Sequence, residues 1–158
     1  GKAYSGRISY TPIMTETSLL TTYASLLTVG TPTFRHGNGM NNFVQRNKPL
    51  GWQHGSDGQE IKFGFNYFNR TNLIAQFEFG QRKAGEESIT SRSYESYADY
   101  LAGPFPSGNV KESVFIISKL QWWWKPNIQL NGGIDWENDG SLQSLFGINI
   151  YFPRDFTL

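Results

Sequence analysis

From Glu60 onward, apolar and polar side chains alternate with a period of two residues, and this alternation restricts the fold more than any other feature. In 60–68, Ile61, Phe63, Phe65 and Tyr67 oppose Glu60, Lys62, Gly64 and Asn66. The same pattern recurs in 72–83, 111–124, 128–137 and 141–152. Successive side chains of a strand point to opposite faces, so each segment reads as a strand with one apolar and one polar face. Two earlier segments join them. Residues 3–11 set Tyr4, Ile8 and Tyr10 against Ser5, Arg7 and Ser9, and 18–29 is rich in Thr, Leu, Tyr and Val. Alternation in 18–29 is weak, and a helix over 19–27 competes with the strand. A short strand fits within 40–45. The expected class is all-β, with about seven main strands.

Trp122-Trp123-Trp124 stands immediately before the turn Lys125-Pro126-Asn127. On a strand these rings point to both faces, and a water-soluble protein needs a special reason for that. A transmembrane β-barrel has a general one, because aromatic rings collect at the water–lipid boundary where strands end. Tyr67, Phe68, Tyr151 and Phe152 fall at the same level. With Trp122 and Trp124 they form the expected membrane girdle, and Trp123 points inward. The chain is therefore expected to be an antiparallel up-and-down transmembrane β-barrel sheet, with residues 1–158 as a single β-barrel region.

The connections support an orientation. Working back from the C-terminus they run short (138–140), short (125–127), long (84–109), short (69–71) and long (30–58). With the tail on the periplasmic side, both long loops become external, as outer-membrane barrels require. A closed bacterial barrel has an even number of strands, so upstream strands or another chain are expected to complete a larger barrel. The chain begins at Gly1 with no Met and no signal-peptide pattern, which reads as a processed chain or a fragment.

Composition narrows the chemistry. With 14 basic and 13 acidic residues, charge makes no case for nucleic acid. The absence of Cys removes disulfides and thiolate metal sites, and two His without close ligand spacing argue against zinc. No metal and no cofactor are expected. No run of about 18 apolar residues exists to make a membrane helix.

Four motifs occur in order: Asn47-Lys-Pro-Leu-Gly-Trp-Gln-His-Gly-Ser-Asp-Gly-Gln-Glu60, Gly85-Glu-Glu-Ser88, Gly103-Pro-Phe-Pro-Ser-Gly108, and Trp-Trp-Trp-Lys-Pro-Asn127. Together, from about Ile8 onward, they resemble the C-terminal portion of the capsule-assembly Wzi family, particularly its Wzi-like members from Bacteroidetes. The resemblance implies a large barrel of the bacterial outer membrane that helps retain or assemble capsular polysaccharide by binding. Its partners would be the surface polysaccharide and the lipid bilayer. One departure is the final Leu158, where barrel-insertion signals commonly end in Phe; Phe152 or Phe156 would substitute.

Ligand contacts are expected in the loop 30–58. Trp52 offers a face for a sugar ring, while Arg35, Arg46, Lys48, His54 and Asp57 offer charge and hydrogen bonds suited to acidic groups. The blander alternative has Trp52 plugging the barrel mouth, Asp57 making a turn with Gly58, and the charges solvated. Glu86 and Glu87 are adjacent and point apart on extended backbone, so they make a poor acid/base pair, and no enzyme is expected. Tyr94, Tyr97 and Tyr100 suggest a helical turn that packs the second loop. Gln129, Asn131 and Asp135 are expected to line the lumen, where they either shape a polar pore or, the favoured role, pair with Lys62 and Lys119 across the interior. Two other functions fit the alternation: a porin or substrate-specific channel, and a secreted β-sandwich that binds carbohydrate.

Overall fold

The structure is a computed structural model and describes residues 1–34, 44–46, 48–89 and 103–152. Its elements are β1 (Ala3–Met14), β2 (Ser18–Val29), β3 (Val44–Gln45), β4 (Lys48–Pro49), β5 (Gly58–Asn69), β6 (Leu73–Ala84), β7 (Lys111–Lys125), β8 (Ile128–Glu137) and β9 (Leu142–Ile150). Seven of them form one antiparallel sheet in the order β1-β2-β5-β6-β7-β8-β9, and β3 pairs with β4. Each long strand lies beside its neighbours in sequence, which is the expected up-and-down order. No helix occurs among the described residues, and the sheet is not closed. The short strand expected within 40–45 is seen as Val44–Gln45, and 40–43 lie outside the described residues.

Two segments differ from the reading by pattern. β1 continues through Pro12 to Met14, where a connection was expected; proline lacks an N–H and is tolerated on an edge strand. β2 is strand throughout and the competing helix does not form. Other strands engage side chains on both of its faces: on one, Thr21 Oγ1 meets Thr11 Oγ1 at 3.1 Å and the Tyr23 hydroxyl donates to Glu78, and on the other Thr22 Oγ1 donates to the Tyr10 carbonyl at 3.2 Å. Such cross-strand partners outweigh a weak local preference.

Local chemistry makes the tight turns. Asn69 Oδ1 accepts from Thr71 N at 2.9 Å and Thr71 Oγ1 at 2.6 Å, an Asx turn between β5 and β6. Between β8 and β9, Gly140 adopts φ +93°, a region that residues with a Cβ avoid. Between β7 and β8 the register shifts at Trp123/Lys125, which places Trp124 in a bulge.

The described contacts divide the chain into two compact units. The first comprises Gly1–Arg7, Ser25–Lys62 and Gln81–Ser113; the second comprises Ile8–Ala24, Phe63–Gly80 and Val114–Leu158. The first holds the long connections. Val29 and Ile89 are buried there with Asp57, Ser56, Ser88 and Arg82. Arg82 Nε lies 3.1 Å from Glu60 Oε2, and Lys62 Nζ lies 3.9 Å from Glu60 Oε1.

The second unit holds the tight turns. On one face Phe63 stacks on Phe79 and Phe65 on Phe77, each pair with centroids 5.5 Å apart. The register of β7, β8 and β9 aligns Trp122 with Leu130 and Ile148, and Ile116 with Trp136 and Leu142. The opposite face brings Trp123, Gln129 and Asn149 together by the same registers. Gln129, expected to pair with a lysine, instead accepts from Asn149 Nδ2 at 2.9 Å and from the Tyr151 hydroxyl at 3.2 Å.

Burial is inverted relative to a water-soluble sheet. The apolar face is bare: Phe79, Leu120 and Trp124 are 49%, 45% and 58% exposed. The other face is buried and mixed: polar Glu78, Arg82, Ser113 and Gln129 are buried, and so are Tyr23 and Phe115. Two girdle assignments need correction. Tyr151 bonds to buried Gln129 and therefore belongs with the polar face. Phe68 has the pleat parity of Gly64, which lies against Tyr23, so it too falls on the polar face. Tyr67, Trp122 and Phe152 have the parity of the apolar face, and Trp124 is exposed at the bulge.

Candidate functional site

The loops of the first unit are built around one buried carboxylate. Asp57 is 0% exposed and sits at φ +63°, a left-handed conformation that Asp tolerates better than most residues. Its Oδ1 accepts from Thr31 Oγ1 at 2.8 Å and from Ser107 N at 3.1 Å. Its Oδ2 accepts from Glu87 N at 3.2 Å and from the Ser107 hydroxyl. Its backbone oxygen accepts from Gly85 N at 2.8 Å. A Cβ at Gly85 would overlap Asp57 Oδ2 and come within 2.6 Å of Ser107 N, so this position admits no side chain.

A second layer repeats the device next door. Ser56 is 0% exposed, its N donates to Ser88 Oγ at 3.3 Å, and its Oγ accepts from Ile89 N at 3.2 Å. Ser88 Oγ donates to the His54 carbonyl at 2.9 Å. Segments 54–58, 85–89 and 105–108 are thus cross-linked by side chain to backbone hydrogen bonds. These are the segments of three of the four motifs, and a buried backbone without such partners would be costly.

The expected ligand residues separate into two groups. Asp57 is corrected: its oxygens are committed to four internal donors and it offers no surface, so it organises the loops and does not touch a ligand. The turn with Gly58 foreseen in the blander alternative understates that role. Trp52 is half-buried and lies against Gly58, where a Cβ would meet its ring at 2.6 Å. His54, also half-buried, stands edge-on to Trp52 with centroids 5.2 Å apart. Arg46 is exposed at φ +50° between β3 and β4, and Lys48 is exposed on β4. Arg35 lies outside the described residues, as do Tyr94, Tyr97 and Tyr100. The arrangement offers an aromatic pair and, on β3–β4, two exposed cations. Glu86 Oε1 accepts from Asn109 Nδ2 at 2.8 Å.

Thr31, Ser56, Ser88 and Ser107 were not singled out from sequence. Ser56, Ser88 and Ser107 do lie inside noted motifs, but a serine in a Gly-rich loop carries no sign of a partner 50 residues away. Comparison with protein families, curated proteins and solved structures finds no match.

Proposed function

We propose that the chain is part of an outer-membrane β-barrel that holds a surface polysaccharide, retaining or assembling it by binding without bond cleavage. The inverted burial of the sheet supports this most. Fully burying one large apolar side chain is worth about 1.5–3 kcal/mol, so a whole bare apolar face calls for an apolar cover. Hydrocarbon supplies one while the polar residues remain on the other face.

Dimensions agree with that reading. The apolar positions of β7 run from Val114 to Trp124, about 33 Å of strand at about 3.3 Å per residue. At the usual barrel tilt of about 40° this gives a band about 25 Å tall, the height found in outer-membrane barrels. Tyr67, Trp122, Trp124 and Phe152 would stand at its boundary. Both edge strands are exposed and rich in apolar residues, among them Ile8, Tyr10, Phe146 and Ile148. Open edges cannot face lipid, so on this reading further strands, of a longer chain or of another chain, pair with β1 and β9.

The polysaccharide part of the proposal follows the Wzi resemblance and the loop geometry. Trp52 and His54 present rings, Arg46 and Lys48 present charge, and the Asp57 knot holds the underlying backbone. The test joins two measurements in cells. The protein should stay with the outer-membrane fraction until detergent is added, and Trp52→Ala combined with Arg46→Ala and Lys48→Ala should lower the retained surface polysaccharide. Recovery without detergent would sink the barrel reading; unchanged polysaccharide would sink the binding role of these loops.

A further inference from the structure

We propose a second saccharide subsite, specific for a sugar bearing a carboxylate, on the polar face of the second unit beside its tight turns. It rests on the polysaccharide reading above and extends it to residues outside the loops. Register places Trp123 opposite Gln129 in the antiparallel pair of β7 and β8, so both side chains leave the sheet on the polar face. Gln129 is 6% exposed and is oriented by Asn149 and Tyr151 through its Oε1. Trp123 is half-exposed, and its backbone N–H donates to the Asn72 carbonyl at 2.8 Å, which ties it to the neighbouring turn. A depression at this point is lined by Phe68, Arg70, Leu73, Trp123, Trp124 and Lys125.

The chemistry of that lining selects the ligand. A pyranose ring has an apolar C–H face that sheds water onto a flat indole or phenyl ring. Rings alone do not discriminate charge. Arg70 and Lys125 are both exposed, and neither forms an ion pair among the described residues. Lys125 Nζ is held 5.2 Å from the Trp124 ring centroid. A guanidinium offers a carboxylate two parallel N–H donors and an ammonium adds a point charge, so a uronate is favoured over a neutral hexose. An anionic phospholipid would also meet the two cations. Its acyl chains belong on the apolar face, whose parity Leu73 shares, whereas Trp123 and Phe68, the rings that would take the sugar, have the parity of the other.

The test is a fluorescence titration of the whole chain in detergent micelles with trigalacturonate and, separately, maltotriose. With the depression intact, the chain should bind trigalacturonate about tenfold or more tightly than maltotriose. Arg70→Ala with Lys125→Ala, one in an exposed turn and the other at the exposed end of β7, should bring the two ligands within about twofold of each other. Trp123→Ala should weaken both by about tenfold, and Trp123→Phe by less because a flat ring remains. Each of these values is read in a chain that also carries Trp52→Ala, Arg46→Ala and Lys48→Ala, so that the loop contacts proposed above do not contribute. In that background, retained preference in the Arg70/Lys125 double variant or unweakened binding in Trp123→Ala would each overturn the subsite. So would a response only to brominated phosphatidylglycerol, which would assign the depression to lipid. The loop reading fails separately, through unchanged surface polysaccharide in the loop variants.

Discussion

Replacing Asp57 by Asn tests how much one carboxylate does for the loops. Asn keeps the size of the side chain and tolerates φ +63°. Its best orientation puts the amide nitrogen at Oδ1, where the Thr31 hydroxyl can turn to accept, and the oxygen at Oδ2. The oxygen can then still take Glu87 N at 3.2 Å, Ser107 N at 3.3 Å and the Ser107 hydroxyl. What is lost is charge. A hydrogen bond to a charged group is worth about 1.5–3 kcal/mol and a neutral one about 1; because the three bonds share one oxygen, the lower half of that difference applies, about 0.7–1 kcal/mol each and about 2–3 kcal/mol in all. Asp57→Ala goes further. Glu87 N keeps the Ser107 Oγ at 3.2 Å, but the half-buried Ser107 loses the acceptor of its N–H, and Ala is strained at this φ. Together these bring the cost to about 3–5 kcal/mol. Hydrogen–deuterium exchange at the Ser107 and Glu87 amides reads the local opening. For Asp57→Asn it should accelerate about 30- to 140-fold, while the Trp123 amide keeps its rate. Exchange at Ser107 within about twofold of wild type would refute the claim that the carboxylate holds these segments together.

The remaining expectations use paired substitutions. Arg82→Ala breaks an ion pair whose side chains are 6% and 11% exposed, and should cost about 3–5 kcal/mol in a denaturant titration. Lys83→Ala breaks the exposed pair with Glu112, whose side chains are 36% and 51% exposed, and should cost at most about 1 kcal/mol. Gly85→Ala should cost about 2 kcal/mol or more by pushing against Asp57 and Ser107, whereas Gly6→Ala, with nothing within 4 Å of the added Cβ, should stay within about 0.5 kcal/mol. Leu120→Arg, on the apolar face, should lower folding stability in lipid vesicles by about 2–4 kcal/mol. Lys119→Arg, on the other face, should leave it unchanged; equal effects of the two would contradict a lipid-facing sheet.

The strands were legible because alternation is a property of each segment alone. Ile61, Phe63, Phe65 and Tyr67 announce one face of β5 with no reference to any other strand. The turns at Asn69 and Gly140 were legible for the same reason, since an Asx turn and a positive φ need only the residues present. β2 was less clear, because Tyr23 and Thr21 take their places from Glu78 and Thr11 on other strands. The girdle was read one position too generously at Phe68 and Tyr151: clustering of aromatics in sequence does not say which face each ring takes when neighbours alternate.

The role of Asp57 was beyond any local signal. Its donors come from Thr31, Glu87 and Ser107, at separations of 26, 30 and 50 residues. From sequence it was a polar side chain in a Gly-rich loop, equally fit to meet a sugar or to close a turn. The tertiary structure buries it, because folding three loop segments against one another leaves their backbone N–H groups in need of an acceptor, and a carboxylate is the strongest one available. The amino-acid sequence alone determined the strand content, the order of strands along the chain and the two unlike faces, since covalent geometry turns period two directly into sidedness. Only the tertiary structure decided that Gln129 meets Asn149 and Tyr151 and that Asp57 holds the loops, because each depends on which distant segments come to lie side by side.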